Sequence, residues 1–251
     1  MELSNSAAIV TGGASGLGAA TASALVAAGA AVFAIDLPAA VDRMSHSAGV
    51  TYLAADVTDP DEVAAAVAAA GANHPLRVAV SCAGVAPSER ILGRRGLHDL
   101  SRFAKTVSIN LVGTFNVLAL AAESMAANEP DGDGQRGVIV NTASVAAYEG
   151  QIGQAAYASS KGGVAALTLP AARDLAQHGI RVCAIAPGII DTPMMASFSE
   201  EVREGLAAGV PFPQRLGRPD EYASLVRFIV EHDYLNGEVI RMDGALRMGP
   251  R

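Results

Sequence analysis

Thr11-Gly12-Gly13-Ala14-Ser15-Gly16-Leu17-Gly18 stands between an apolar run, Ala7 to Val10, and a helical stretch that reaches Gly29; Asp36 closes the next apolar run, Ala31 to Ile35. This is the layout of a strand, a glycine-rich turn, a helix and a second strand ending in a carboxylate. Gly12, Gly16 and Gly18 divide three duties among them: a tight turn, close backbone approach to a pyrophosphate, and helix-on-strand packing. The free N–H groups at the helix start attract the anion. A glycine cluster alone also describes an ordinary strand-to-helix loop. Strand, helix and Asp36 in their required places point instead to a dinucleotide held by its phosphates.

The remainder of the chain is consistent with one domain over residues 1–251, because no Pro/Gly/Ser-rich linker or charge block divides it. Hydrophobic residues make up 51% and aromatic residues only 4%. The core must therefore be built from Ala, Val, Leu and Ile, which suits parallel strands covered on both faces. A net charge of -7 gives no basic footprint for nucleic acid or an anionic membrane, so neither is expected as a partner. The apolar stretches read as single strands and helices, short of the ~18–20 residues of a membrane span. Met1 lies only a few residues before the first strand, leaving no room for a leader, and a cytoplasmic location is expected. Cys82 and Cys183 fall in separate strand-like runs with another strand between them, ~9–10 Å apart and beyond disulfide reach, so both are expected as thiols. No metal site is assigned.

Strand-like segments are read near residues 7–11, 31–36, 50–55, 77–82, 137–142, 180–186 and 238–242. Helical ones are read near 16–29, 60–72, 99–128, 155–177, 199–209 and 219–232. Such alternation predicts an α/β chain with a doubly wound parallel sheet of about seven strands and helices on both faces. Ligands in such sheets bind beyond the carboxyl ends of the strands.

Asp36 is the first chemical discriminator. A carboxylate at the end of the second strand, 24 residues after Gly12, accepts both ribose hydroxyls of an adenosine, whereas a 2′-phosphate there meets like charge. Leu37, Pro38, Ala14 and Ser15 offer no cation to offset it, so NAD is favoured over NADP. Asp56 and Val57, after the third strand, are placed to meet the adenine edge; a cap for the helix beginning near Pro60 is the competing role for Asp56.

The second constellation is Ser144, Tyr157 and Lys161. Tyr157 and Lys161 are four apart on a predicted helix and share a face, while Ser144 stands just beyond the fifth strand, at the ligand end. A tyrosine titrates near ~10 in water, so a base working near neutral pH needs its phenolate favoured by ~2–3 units. A lysine ammonium and a cationic nicotinamide nearby supply that. In this reading Tyr157 takes a hydroxyl proton, Ser144 hydrogen-bonds the developing carbonyl oxygen, and Lys161 biases the phenol and holds the nicotinamide ribose.

Together with Cys82-Ala83-Gly84, Asn110 and Pro187-Gly188, these motifs resemble the short-chain dehydrogenase/reductase superfamily, in the same order and over almost the whole chain. The resemblance implies a single Rossmann-type domain and a catalytic tetrad in which Asn110 holds a water relaying protons from Lys161. It also implies cofactor contacts from Ser15, Leu17, Cys82, Ile190 and Thr192, and a homotetramer. Glu149 to Tyr157, Val210 to Gly217 and Asn236 to Ala245 are similar more narrowly to the type II 3-hydroxyacyl-CoA dehydrogenases. Ser81 stands where many superfamily members carry Asn, and Ala158 where the subgroup usually has Ser.

That subgroup oxidises 3-hydroxyacyl-CoA esters with NAD, and its resemblance makes an acyl-CoA the expected small-molecule substrate. The alternatives are a 3-oxoacyl-(acyl carrier protein) reductase, a broad alcohol or hydroxysteroid dehydrogenase, or an NAD-binding regulator without turnover. Met194, Met195, Phe198 and Leu206, within a substrate loop near 189–215, suit an apolar lid, or equally a packed crossover helix. Gln151 and Gln154 are candidates for the thioester carbonyl. Arg94 and Arg95, beside Arg90, lie in a loop where the subgroup carries an insertion linked to coenzyme A; exposed arginines are otherwise simply solvated.

Overall fold

Short runs of Ala, Val and Ile that are apolar on both faces can be stable only between two layers of helix, and the computed structural model arranges them so. It describes every residue except 45, 46, 95, 194, 196, 197 and 251. Strands β1 (Ala7–Thr11), β2 (Ala31–Asp36) and β3 (Val50–Ala54) alternate with helices α1 (Gly16–Ala27), α2 (Pro38–Val41) and α3 (Pro60–Gly71). Strand β4 (Leu76–Ser81) leads through a small hairpin, β5 (Leu92–Gly93) and β6 (Gly96–Leu97), into α4 (Leu100–Val107) and α5 (Gly113–Ala126). Then follow β7 (Gly137–Thr142), α6 (Ala155–Ala176), β8 (Ile180–Pro187), α7 (Glu200–Ala208), α8 (Pro219–Glu231) and β9 (Val239–Met242).

Seven strands form one sheet in the order β3-β2-β1-β4-β7-β8-β9, every neighbouring pair parallel. One face packs Ile9, Leu76, Ile139 and Val182 against Val63 of α3 and Val117 and Met125 of α5. The other packs Val10, Val78, Val140 and Ile185 against Leu25 of α1 and Ile229 of α8. Each such side chain contributes about 1.5–3 kcal/mol by leaving water. Strands β1, β7 and β8 are buried throughout, whereas the edge strands β3 and β9 are not.

Strand order runs outward from β1 in both directions, so the connections part above β1 and β4 and leave a crevice there. The Thr11 hydroxyl spans its floor, accepting from the N–H groups of Cys82 (3.2 Å) and Ala83 (3.1 Å). Cys82 and Cys183 are both free thiols.

Two short elements, α2 and the β5–β6 hairpin, were not expected; four and two residues are too few to carry a periodic signal. The segment expected as one helix is α4 and α5 joined by a π turn, Ser108–Val112, centred on the buried Asn110. The joined rod, Leu100–Ala126, is long and apolar enough by length and composition to cross a membrane, which corrects the expectation that no stretch reaches that length. Its apolar residues are interrupted by Ser108, Asn110, Thr114 and Asn116, so no unbroken apolar run reaches that length. In the fold, Val117, Leu118, Ala121 and Met125 of this rod are core residues.

Candidate active site

The ends of β1, β2, β4, β7 and β8 open into one cavity of about 460 Å³. Gly12 lines it with φ of 66°, a left-handed conformation that favours glycine, and a Cβ there would stand 2.9 Å from the Ala83 nitrogen. A Cβ on Gly18 would run into the Gly12 carbonyl, so this turn closes on α1 only with glycine. Gly16, Ser15 and Leu17 line the same end of the cavity.

Asp36 lies across from this turn. Its carboxylate accepts the Ala14 N–H at one oxygen (3.1 Å) and the Leu37 N–H at the other (2.9 Å). Two ionised oxygens offer about four acceptor positions, so lone pairs remain for hydroxyl donors from the cavity. Asp56 and Val57 also line the cavity. Asp56 accepts from Thr58 N–H (2.9 Å), while Asp59 caps α3, so the helix-cap role considered for Asp56 belongs to its neighbour. Cys82, Ala83, Gly84, Pro187, Gly188, Ile190 and Thr192 line the same cavity. A backbone cradle that admits no Cβ, followed by a half-buried carboxylate, fits the diphosphate and ribose of a dinucleotide.

At the other end stand Ser144, Tyr157 and Lys161. Ser144 has extended backbone and caps the short turn Val145–Ala147, its Oγ accepting the Ala146 N–H at 3.1 Å. The hydroxyl proton therefore stays available for donation into the cavity. Tyr157 and Lys161 project from consecutive turns of α6. The Lys161 ammonium is buried and donates to the Thr142 carbonyl at 2.7 Å. The Thr142 hydroxyl in turn donates to the Ser81 carbonyl (2.6 Å) and pairs with the Tyr222 hydroxyl (2.7 Å) from α8.

Burial pushes the Tyr157 phenol up from its ordinary value, and the hydrogen bond with Ser144 offsets part of that. The direction is opposite to the one expected from Lys161. The physical reason is that the phenol is desolvated while the Lys161 ammonium is moored to Thr142. Burial also lowers Lys161 to about 8, with Cys82 as the neighbour that resists the shift. Cys82 itself is raised by burial, so it is a poor nucleophile here.

Asn110 does not line the cavity. It is fully buried, its Oδ1 accepting the Val85 N–H (2.8 Å) and its Nδ2 donating to the Val85 carbonyl (2.8 Å) and the Ser160 hydroxyl (3.0 Å). Its side chain ties the strand-end loop after Gly84 to the helix pair behind the site.

Of the expected substrate residues, Gln154 lines the cavity, while Gln151 does not. The Gln151 amide donates instead to the Gly249 carbonyl (3.2 Å), and its N–H is accepted by Gln154 Oε1 (3.0 Å). Arg90 and Arg94 are exposed around the β5–β6 hairpin and stand outside the cavity lining; Arg95 and Met194 lie outside the described residues. Met195 reaches the cavity, whereas Phe198 is exposed. Sequence reading missed Thr142, Tyr222 and Met248. Thr142 had a signal, as the last residue of a strand just before Ser144. Tyr222 and Met248 had none, being brought in over long sequence separations.

A family profile described as short chain dehydrogenase matches residues 6–203. The chain is 52% identical to a 3-hydroxyacyl-CoA dehydrogenase type-2 of Drosophila melanogaster, over 99% of this chain and 100% of that protein. It is also 52% identical to a 3-hydroxyacyl-CoA dehydrogenase type-2 of Homo sapiens, over 97% and 95% of the two chains. A crystal structure of 3-hydroxyacyl-CoA dehydrogenase type-2 from Mycobacterium avium superimposes with a TM-score of 0.92 at 45% identity, covering 100% of this chain and 99% of that one. With the glycine turn and the Ser144, Tyr157 and Lys161 side chains meeting in one cleft inside that match, the chain belongs to the short-chain dehydrogenase/reductase family and is a nicotinamide-dependent dehydrogenase.

Proposed function

We propose that this enzyme oxidises 3-hydroxyacyl-CoA esters with NAD and catalyses the reverse reduction of 3-oxoacyl-CoA. The observation that carries the cofactor choice is Asp36, whose carboxylate faces the nucleotide end of the cavity with both oxygens already fixed by backbone N–H groups. It accepts ribose hydroxyls and repels a 2′-phosphate. The substrate class is supported by the relatives named 3-hydroxyacyl-CoA dehydrogenase type-2, aligned nearly end to end.

The bound nicotinamide supplies the hydride acceptor. Tyr157 Oη takes the proton of the substrate hydroxyl and Ser144 Oγ donates to the same oxygen as it becomes a carbonyl, holding it within reach of the phenol. Lys161, buried and lowered to about 8, brings its ammonium to the reacting end, where it biases the phenol and holds the nicotinamide ribose. Gln154, beside them, is the polar group available to the thioester carbonyl. Val112 at the end of the π turn, Phe115 of α5 and Leu169 of α6 are exposed apolar residues, which suits the homotetramer expected by resemblance.

The test is a panel of 3-hydroxyacyl-CoA, 3-hydroxyacyl-carrier, steroid and simple secondary alcohols, followed by NADH absorbance. Turnover should be greatest with the CoA esters. Preference for the carrier-bound or steroid alcohols would overturn the assignment.

A further inference from the structure

Beyond β9 the chain does not leave the molecule. Gly244 and Ala245 both adopt left-handed backbone, with φ of 60° and 66°, and turn the tail back towards the catalytic cleft. For Ala245 that conformation is strained, so contacts of the tail must hold it. They do so on one loop, Tyr148 to Gln154, which connects Ser144 to Tyr157. Glu149 accepts the Met248 N–H at 3.0 Å, the Ile152 N–H donates to the Pro250 carbonyl at 3.1 Å, and the Gln151 amide donates to the Gly249 carbonyl at 3.2 Å. Glu149 is itself gripped by the Arg241 guanidinium through two bonds of 3.0 and 3.3 Å, and Arg247 approaches it to 3.4 Å. The Arg241 contact lowers the Glu149 carboxyl below the usual carboxylate range, so it stays charged. Arg241 also donates to the Leu246 carbonyl at 3.1 Å, closing the turn from the other side.

The result of this tethering is that the half-buried Met248 lines the catalytic cavity together with Gln154, Tyr157 and Met195. It is the one lining residue among those described that comes from beyond β9. We infer that Met248 is a specificity-determining residue of the reaction, forming the wall that limits the acyl chain of the substrate, and that Glu149 is the residue that positions it. An unbranched thioether fills irregular space and yields to chains of different length. The inference deepens the function proposed above and rests on it for the nature of the chain.

Substitution in both directions tests it, on the full chain, with two homologous series: 3-hydroxyacyl-CoA esters and free secondary alcohols of increasing chain length. A methylene placed in an apolar pocket changes selectivity by about 10-fold or more. Met248→Ala should therefore raise kcat/KM for the longest chains relative to the shortest by about that factor, mainly through KM. Met248→Phe should shift selectivity the opposite way. Glu149→Ala should reproduce the effect of Met248→Ala, and the double variant should add nothing further, because both changes remove the same wall. Glu149→Gln keeps an acceptor for the Met248 N–H and should restore most of the selectivity. Equal loss on all chain lengths in both Met248 variants, or additive effects in the double variant, would overturn the inference. Turnover confined to the free alcohols would sink the acyl-CoA reading alone, and the alcohol series would then decide the role of Met248 by the same comparison.

Discussion

The Lys161 ammonium donates to the Thr142 carbonyl at 2.7 Å, so the cation of the catalytic pair is anchored to the end of β7 and not to the phenol one turn away on its own helix. Thr142 is fixed by Ser81 on β4 and Tyr222 on α8, so a neighbouring strand and a flanking helix both act on the anchor of one lysine.

Because burial opposes its charge, Lys161 should titrate near 8 in the cofactor-free enzyme, against about 10.4 for an unfolded lysine. Between those values the unfolded chain binds more protons than the folded one. Stability therefore rises as pH climbs through this window, and the cost of burying the charge is felt in full below it. Carbon-13 NMR of the lysine side chains should find one resonance titrating near 8 that vanishes in Lys161→Met. A value at the ordinary position would remove the desolvation account.

Replacing Tyr157 by Phe deletes the proposed proton acceptor and leaves the ring in place. Turnover should fall by about 10²–10⁴, the usual contribution of a positioned acid or base, while NADH affinity measured by fluorescence stays close to wild type. The glycine turn Gly12 to Gly18, proposed above to hold the phosphates, is a separate part of the cavity lining and is untouched by the change. Retained turnover would identify another base.

Asp36→Ala should weaken NAD by about 10-fold or more, since hydrogen bonds to charged groups are worth about 1.5–3 kcal/mol. NADP, which has no free 2′-hydroxyl for the carboxylate, should lose nothing and even gain. Titration calorimetry with both cofactors measures the difference, and an equal loss for each would contradict the NAD assignment.

Asn110→Ala removes the partner of both Val85 backbone groups and of Ser160. Urea unfolding should show a loss of about 1–3 kcal/mol, the cost of leaving such groups unpaired. An unchanged midpoint would mean that water replaces the side chain without penalty.

That the glycine turn and Asp36 share one cleft was legible because they are local. Gly12, Gly16, Gly18 and Asp36 belong to one strand-turn-helix-strand unit, and their spacing carries their geometry. Tyr157 and Lys161 were legible for the same reason, being one helical turn apart. Their proton affinities were not, because desolvation depends on what packs around them and no spacing records that. Gln151 and Gln154 look alike in sequence, yet only Gln154 faces the cavity; the tail that claims Gln151 arrives from almost 100 residues away. The place of Asn110 in the helix was legible, but its bonds to Val85 follow from the path of the loop after Gly84.

The π turn at Ser108–Val112 has a consequence for the register of the whole rod. Thr106, Asn110 and Thr114 are all buried, at intervals of four. An unbroken α-helix turns about 100° per residue, so each interval would carry the next side chain about 40° past its predecessor. The π turn alters that rotation between α4 and α5, and the Thr114 hydroxyl donates to the Asn110 carbonyl at 2.8 Å. Deleting a single residue within this stretch would leave a more regular helix and swing Asn110 away from Val85 and Ser160. At this point in the chain the number of residues is itself a functional quantity.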